Sequence, residues 1–438
     1  MEQTLSIVIL AAGKGSRMKS SLPKVMHKVA NREMLNLVID GAKILKPSNI
    51  TVVLSEDTIS YKDQIQAAHQ DFSINFVVQK EQKGTAHALV AGVKSVEKVG
   101  SKVLVLYGDT PLLSYPTLNM MVESLNDSQL SVLAFDCFEP NNYGRVIIDE
   151  KGIVDRIVET KDASLDEQKV TLCNSGVMSM SKSTLSLIKQ IKNENKSGEY
   201  YLTDLVKIAK ENSLKVSCNK SNQFEVLGVN SKLELATVEK IAQNQLRLQY
   251  LDAGVTMIDP DSVYFSFDTL ISSDVTIYPN VYFGPGVRIA NSVTIKSFSD
   301  IEGADIDSGS VIGPFARIRP GTKINKNVKI GNFVEIKAAN ISDGAKVSHL
   351  SYIGDSEVGK NSNIGAGVIT CNYDGKNKHK TTIGEDCFIG SNSALVAPVI
   401  IANKSLIGAG SVITKNVEEG DLAIARSKQV NLAGKGNK

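Results

Sequence analysis

Three short tracts in the first quarter of the chain carry residues able to handle a polyphosphate. The first, Leu10-Ala11-Ala12-Gly13-Lys14-Gly15-Ser16-Arg17-Met18, follows an apolar run and leads to Leu22-Pro23-Lys24. Its glycines let backbone N–H groups close on an anion, and Arg17 and Lys24 add positive charge. The second, Gln79-Lys80-Glu81-Gln82-Lys83-Gly84-Thr85, supplies amides and a hydroxyl that could read a base edge. The third runs from Val103 through Tyr107 and Gly108 to Asp109, setting a carboxylate at the end of an apolar strand. A hard divalent cation could bridge that carboxylate to phosphates. Singly, each tract has a plainer reading, a tight turn with two solvated cations for the first and a turn-capping aspartate for the third. No complete G-x-G-x-x-G is present, because Met18 stands at the third glycine position, and there is no G-x-x-x-x-G-K-[ST].

A second group of chemically capable residues lies where a regular pattern breaks. An aliphatic residue or phenylalanine recurs every sixth position through Ile271, Ile277, Phe283, Ile289, Ile295 and Ile301. After a one-residue slip it resumes at Ile306, Ile312, Ile318, Ile324, Ile330 and Ile336, and later at Ile383, Ile389, Leu395, Ile401, Ile407 and Ile413. Helices repeat at three and four and a long strand at two, so a beat of six belongs to a hexapeptide solenoid. Each short strand there points one aliphatic side chain inward, and stacked coils share a core that no coil could form alone. His349, Tyr352 and the polar insert from Cys371 to Lys380 interrupt the beat with types the repeat does not need. Solenoid insertions gather on one face and often form its binding site. An imidazole there suits the removal of a proton from an amine that must be neutral to attack.

The elements that must position the first group alternate apolar runs with amphipathic segments, the pattern of a sheet flanked by helices. Strands are predicted at Ser6–Leu10, Thr51–Leu54, Asn75–Val78, Lys102–Tyr107 and Leu130–Phe135. Helices are predicted at Met34–Leu45 and Thr85–Ser95, the second capped by Thr85. Such sheets bind ligands beyond the carboxyl ends of their strands, which is where the three tracts fall. Ser231 to Tyr250, rich in helix formers and free of Gly and Pro, reads as a helix leading into the solenoid. The expected organisation is a first domain over residues 1–229, a linker helix over 230–250 and the solenoid over 251–438, with a polar, poorly ordered last dozen residues.

With 438 residues the chain can build two or three cores, and a net charge of +2 gives no basic footprint for nucleic acid or an anionic membrane. Cys137, Cys173, Cys218, Cys371 and Cys387 have no metal-binding spacing and read as free thiols of a reducing compartment. The apolar stretch Leu5 to Ala12 is far short of the ~20 residues of a membrane span. These features point to the cytoplasm.

The L-A-A-G-x-G-x-R-M tract followed by a P-K pair resembles the signature of sugar-nucleotide pyrophosphorylases. The solenoid carries Asn332-Phe-Val-Glu-Ile-Lys337, Ser348-His349-Leu-Ser-Tyr352-Ile-Gly-Asp355, Asn363-Ile-Gly-Ala-Gly367 and Thr370-Cys-Asn372-Tyr373-Asp-Gly375. With these, the chain resembles the bifunctional enzymes that acetylate glucosamine-1-phosphate and uridylylate N-acetylglucosamine-1-phosphate, over Ser6 to Arg426. The resemblance implies a Rossmann-like nucleotidyltransferase domain in an α/β chain, followed by a left-handed parallel β-helix. It implies that UTP meets Leu10, Ala11, Gly13, Lys24, Gln79, Gly84, Thr85 and Asp109, with Arg17 and Lys24 acting on the phosphates. It places the amino sugar of UDP-N-acetylglucosamine against Tyr107, Gly108, Gly144, Glu159 and Asn174, and joins Asn230 to Asp109 at Mg²⁺. Asparagine before a helical segment equally fits a helix cap.

For the second half, the resemblance implies His349 as general base, with Arg319, Lys337, Tyr352 and Asn363 on glucosamine-1-phosphate. Ala366, Asn372, Tyr373, Ser391, Ala409 and Arg426 would line the acetyl-CoA path, with an oxyanion donor near Ala366 or Asn372. It also implies a homotrimer whose acetyltransferase sites draw on neighbouring chains, and a role in supplying cell-envelope precursors. A second reading keeps nucleotidyl transfer alone and makes the solenoid an oligomerisation or regulatory module. The chain departs from the pattern at Thr110, where an aliphatic residue is usual, and in a shorter solenoid start and tail.

Overall fold

Ile7 and Ile9 face one side of their strand and Val8 and Leu10 the other, and all four are buried. A strand covered on both faces reads as one uninterrupted apolar run, which is why the stretch is so conspicuous in the sequence. The computed structural model describes residues 4–96, 99–138, 142–150, 152–433 and 435–436. They form two units, divided between Ala242 and Gln243.

In the first unit the strand Leu5–Ala11 lies parallel between Asn49–Leu54 and Lys102–Tyr107. Ile74–Val78 extends this parallel set beyond Asn49–Leu54. On the other side Leu172–Ser181 runs antiparallel between Lys102–Tyr107 and Leu130–Asp136, and Val216–Lys220 closes that edge. A hairpin of Arg145–Ile148 and Val154–Val158 attaches to Leu172–Ser181. All five strands expected from sequence are present, each extended by two residues or fewer at an end. Helices Met34–Ile44 and Thr85–Lys94 cover opposite faces, the first over Ile7, Ile9, Val52 and Leu106, the second over Val8, Val53 and Val105.

The expected cap on the second helix is not made by Thr85. Gly84 occupies the cap position at φ +111°, and the Thr85 hydroxyl accepts the N–H of Leu202 at 2.9 Å. A methyl group on Gly84 would stand 2.5 Å from the Tyr200 carbonyl oxygen, so the backbone of another segment fills the space a capping side chain would use.

In the second unit three parallel sheets of ten, eight and eight short strands form a left-handed parallel β-helix. The six-residue beat becomes columns of stacked side chains. One column runs through Ile277, Ile295, Ile312, Ile330, Val347, Ile364, Ile389 and Ile407, partnered in register from coil to coil. All are buried in a single continuous core. The slip between Ile301 and Ile306 is a shortened corner, turned by Gly303 at φ +53°. The helix Lys232–Asp252 crosses the division between the units. Its first half adds Val238 and Ala242 to a small core with Met18, Val29, Met34 and Val229. Its second half covers the first coil, where Gln243 exchanges two 2.8 Å hydrogen bonds with the backbone of Phe265. Past the last short strand, Leu422–Ala423, the described residues are exposed, while Gly434, Asn437 and Lys438 of the polar tail lie outside them.

Candidate active sites

Leu10 is paired with both Val53 and Tyr107, so the glycine-rich turn and the Gly108-Asp109 turn leave adjacent strand ends. Val78 pairs with Leu54, which brings Gln79 to the same edge. Together they enclose a cleft of about 500 Å³ whose walls include Leu10, Ala11, Gly13, Lys24, Gln79, Gly84, Thr85, Tyr107 and Asp109. Eight residues assigned to UTP from sequence, with Tyr107, thus share one cavity.

At its floor the Lys24 ammonium donates to the Asp109 carboxylate and, at 3.0 Å, to the Asn230 amide oxygen. The approach of Asn230 follows from a backbone bond, Val229 N–H to Asp109 O at 3.0 Å. Asn230 is not the helix cap. Ser231 accepts the Glu234 N–H through its hydroxyl, and Glu234 reaches back to the Asn230 N–H at 2.6 Å, so the Asn230 side chain is left to Lys24. Two hard oxygen donors therefore converge on a cation, the donor chemistry Mg²⁺ accepts when substrate phosphates and water complete its shell. Among the described residues no group of three or more His, Cys, Asp or Glu could hold a metal. Thr110, the atypical residue after Asp109, is buried and donates its hydroxyl to the Tyr107 carbonyl at 2.9 Å, so the substitution leaves no orphaned polar group.

The sugar-side residues also meet. The Asn174 N–H donates to Gly144 O at 2.8 Å, and a methyl group on Gly144 would stand 3.4 Å from Glu159 Oε2. Burial raises the Glu159 carboxyl above the usual range, against the 3.0 Å hydrogen bond it accepts from Thr203. Burial likewise pushes the Tyr107 hydroxyl far up, reinforced by Glu159 and opposed by the neighbouring Thr85. Arg17 stands apart, exposed on the short helical turn Ser16–Met18 and outside the cleft lining.

Two contacts in this cleft escape sequence reading. Gln82 donates its amide to Ala12 O at 2.7 Å, tying the second tract to the first. Gly176 at φ +92° lies flat on the Tyr107 ring, where a methyl group would approach to 2.8 Å. The only sequence signals were Gln82's membership of the second tract and the glycine in Cys173-Asn174-Ser175-Gly176.

In the β-helix, His349 ends the strand Lys346–His349 and is exposed at a corner, with no side-chain hydrogen bond among the described residues. Backbone bonds carry that corner through successive coils: Gly367 N–H to His349 O at 3.4 Å, Asn392 N–H to Ala366 O at 2.7 Å and Gly410 N–H to Ser391 O at 2.8 Å. Arg426 then donates to Ala409 O at 2.6 Å. His349, Ala366, Ser391, Ala409 and Arg426 therefore form one column. The Ala366 N–H makes no hydrogen bond among the described residues, whereas the Asn372 amide is committed to Asp355 and, at 3.4 Å, to the Tyr352 hydroxyl.

The phosphate-type residues cluster on the next sheet. Lys337 sits 3.2 Å from Asp355, and Arg319 is 2.8 Å from Glu335. Lys378, in the exposed insert, lines one hollow with Asp355, the carboxylate that Lys337 meets, and the nearby Lys337 holds the Lys378 ammonium below its usual range. Asn363 does not join them. It pairs with Lys346, in the sheet that holds the strand ending at His349, while Lys337 and Tyr352 belong to the neighbouring sheet and Arg319 directly follows its strand Arg317–Ile318. Tyr373 is exposed and donates to Gly375 O at 2.6 Å, within its own loop.

Comparisons with known proteins agree with this two-part arrangement. Residues 7–155 match a family model described as a MobA-like NTP transferase domain, and residues 301–406 match one described as the GMPPB C-terminal domain. Three proteins named bifunctional protein GlmU are similar over nearly the whole chain. That of Zymomonas mobilis is 47% identical, covering 98% of this chain and 96% of its own length. That of Paramagnetospirillum magneticum is 45% identical, covering 98% and 95%. That of Marinobacter nauticus is 44% identical, covering 98% of each.

Proposed function

The chain belongs to the family of bifunctional GlmU proteins, and from that premise we propose how its two halves divide the chemistry. It is a bifunctional enzyme of UDP-N-acetylglucosamine biosynthesis. One activity transfers an acetyl group from acetyl-CoA to glucosamine-1-phosphate, and the other joins N-acetylglucosamine-1-phosphate to UTP with release of pyrophosphate. We assign uridylyl transfer to residues 1–229 and acetyl transfer to the β-helix after the linker helix. The observation that carries this division is two separate polar constellations, each built within a single unit.

At the first site a sugar phosphate oxygen displaces pyrophosphate from the α-phosphorus of UTP, and no protein nucleophile is needed. Catalysis then rests on position and charge. Gly13 and Gly84 admit the nucleotide to bare backbone, and Gln79 and Thr85 offer polar groups at the same wall. Asp109 and Asn230 would hold Mg²⁺, which when bound offsets phosphate charge. Lys24, released from those two oxygens, turns its ammonium to the phosphates, and Arg17 reaches in from the rim. Glu159, Asn174 and Gly144 orient the amino sugar, with Tyr107 and Gly108 beneath it.

At the second site His349, whose imidazole makes no hydrogen bond among the described residues, accepts the proton of the attacking amine. The open Ala366 N–H faces the developing oxyanion, since the Asn372 amide is already engaged. Ser391, Ala409 and Arg426 continue the column along which acetyl-CoA lies, with Asn372 and Tyr373 at its edge. Arg319 and Lys337 neutralise the phosphate and Tyr352 packs beside the sugar. Asn363 stands on a different sheet from these residues, which supports a site completed by a neighbouring copy and hence a homotrimer. Action in the cytoplasm fits the five free cysteines, which suit a reducing compartment.

The test incubates the full chain with glucosamine-1-phosphate, acetyl-CoA, UTP and Mg²⁺ and follows CoA and pyrophosphate separately. H349A should abolish CoA release while pyrophosphate still forms from added N-acetylglucosamine-1-phosphate. D109A should do the reverse. Pyrophosphate without any CoA from the unaltered protein would overturn the acetyltransferase assignment.

A further inference from the structure

The insert is an exposed loop that carries Lys378 into one hollow with Asp355, the carboxylate 3.2 Å from the Lys337 ammonium, so that two ammonium groups share one carboxylate. Like charges at contact repel, and surface segments of this kind relax unless they are tied. The ties converge on Asp374. Its Oδ1 accepts the N–H groups of Lys376 at 2.8 Å and Asn377 at 2.6 Å, and its Oδ2 meets His379 Nε2 at 2.7 Å. The His379 N–H in turn donates to Asn372 O at 2.8 Å, and the Asn372 side chain is bound to Asp355. Lys378 thus lies between two residues, Asn377 and His379, that are both held by one carboxylate. The next residue, Lys380, is anchored to Glu357.

We propose that Asp374 and His379 are positioning residues for acetyl transfer, a clasp across the insert that holds the Lys378 ammonium against Lys337 and so completes a cationic pocket for the sugar phosphate. The inference rests on the acetyltransferase reading above. Neither residue touches substrate. Their contribution is to keep a flexible cation where its own repulsion from Lys337 would otherwise move it. The donors around Asp374, chiefly the Asn377 N–H and then His379, hold its carboxyl down to about 2, so the clasp keeps its negative charge throughout the working range. His379 is partly exposed, with 32% of its side chain accessible, as is Asp374 with 45%, which limits the effect to that of a surface pair.

Initial rates of CoA release by the full-length protein, measured against glucosamine-1-phosphate concentration, test the clasp. H379A should raise KM for glucosamine-1-phosphate about fivefold and leave kcat within about twofold. H379Q, whose amide can still donate to Asp374, should restore most of the loss. In a K378A background H379A should produce no further change in KM, because the clasp acts through that lysine. An equal KM effect with and without Lys378, a fall in kcat at unchanged KM, or no effect of H379A would each overturn the proposal. Absence of CoA release from the unaltered protein would instead overturn the acetyltransferase reading on which it rests.

Discussion

A methyl group on Gly331 would stand 1.6 Å from the carbonyl oxygen of Ser348 and 2.6 Å from its carbonyl carbon. Both are backbone atoms in the next coil, so no side chain can rotate away. Reaching ordinary contact at 3.4 Å would require the two coils to part by about 1.8 Å. Adjacent strands lie only about 4.8 Å apart, so such an opening breaks ladder hydrogen bonds rather than stretching them. Asn332 pairs with His349 directly beyond this point, and the Leu350 N–H to Asn332 O bond at 3.1 Å and the Glu335 N–H to Ser351 O bond at 3.0 Å would be the first to go. Two lost backbone bonds, at roughly 1–3 kcal/mol each when their partners are left unsatisfied, put the cost of G331A at about 2–6 kcal/mol. For a unit of this size that is a fall in melting temperature of roughly 4–24 °C. Because coils couple mainly to their neighbours, the damage centres on the coil bearing His349. Thermal unfolding of the full chain, with CoA and pyrophosphate release assayed in parallel, reads all three consequences: a destabilised β-helix, lost acetyl transfer and intact uridylyl transfer. A melting shift under about 2 °C, or CoA release within twofold of the unaltered protein, would refute the claim that this glycine is fixed by coil-to-coil contact.

Replacing Lys24 by alanine should lower pyrophosphate release by about 10²- to 10³-fold while CoA release is unchanged, and a loss below tenfold would mean that its ammonium does not serve the phosphates. Chelating divalent cations with EDTA should likewise stop pyrophosphate release only, and loss of both activities would contradict a metal confined to Asp109 and Asn230. His69 is buried, with Nε2 3.2 Å from Asn36 Oδ1, and burial depresses its imidazole to about 4 despite nearby Asp40. Unfolded, it takes a proton below about 6.5, so between those values the unfolded state binds more protons and stability of the first unit falls as pH drops, by on the order of 3 kcal/mol at pH 4. H69Q should flatten that dependence in urea titrations between pH 7 and 4, and an unchanged slope would sink the assignment.

What sequence reading captured and what it missed separate along a physical line. The six-residue beat is a local rule, since each beat position turns inward because of its own place in its own coil, and every one of its residues fell on a column, with only Ile271 at the open first coil left half-buried. The strands Leu5–Ala11 and Lys102–Tyr107 were legible for the same reason, their burial on both faces being written in contiguous residues. The contacts that shape the sites are not local. Gln82 to Ala12, Gly176 against Tyr107 and Lys378 against Lys337 each join segments that only the completed fold brings together, and no period or propensity in either partner encodes the meeting. The same limit explains the cap expected at Thr85 and the alternative cap reading of Asn230. Thr85 and Asn230 are good local caps by type, but a tertiary partner claimed each of them, Leu202 for the first and Lys24 for the second.

Those failures point to a common feature of the residues proposed to act. A polar group on a protein surface usually satisfies itself with the nearest backbone, which is what makes Ser, Asn and Asp such frequent caps and turns. At these sites neighbours have taken over that duty. Ser231 and Glu234 complete the helix start, which leaves the Asn230 amide oxygen to Lys24. The Asn372 amide is spent on Asp355 and Tyr352, which leaves the Ala366 N–H as the donor still open beside His349. Asn174, by contrast, accepts the Gly176 N–H at 3.2 Å through its side-chain oxygen, and its proposed contribution to sugar binding is assigned to the amide nitrogen, which remains able to donate. N174D, which keeps the acceptor and removes that donor, should therefore raise KM for N-acetylglucosamine-1-phosphate without unfolding the turn. A variant with normal KM would show that the side chain serves only to shape the Gly176 bend beneath Tyr107.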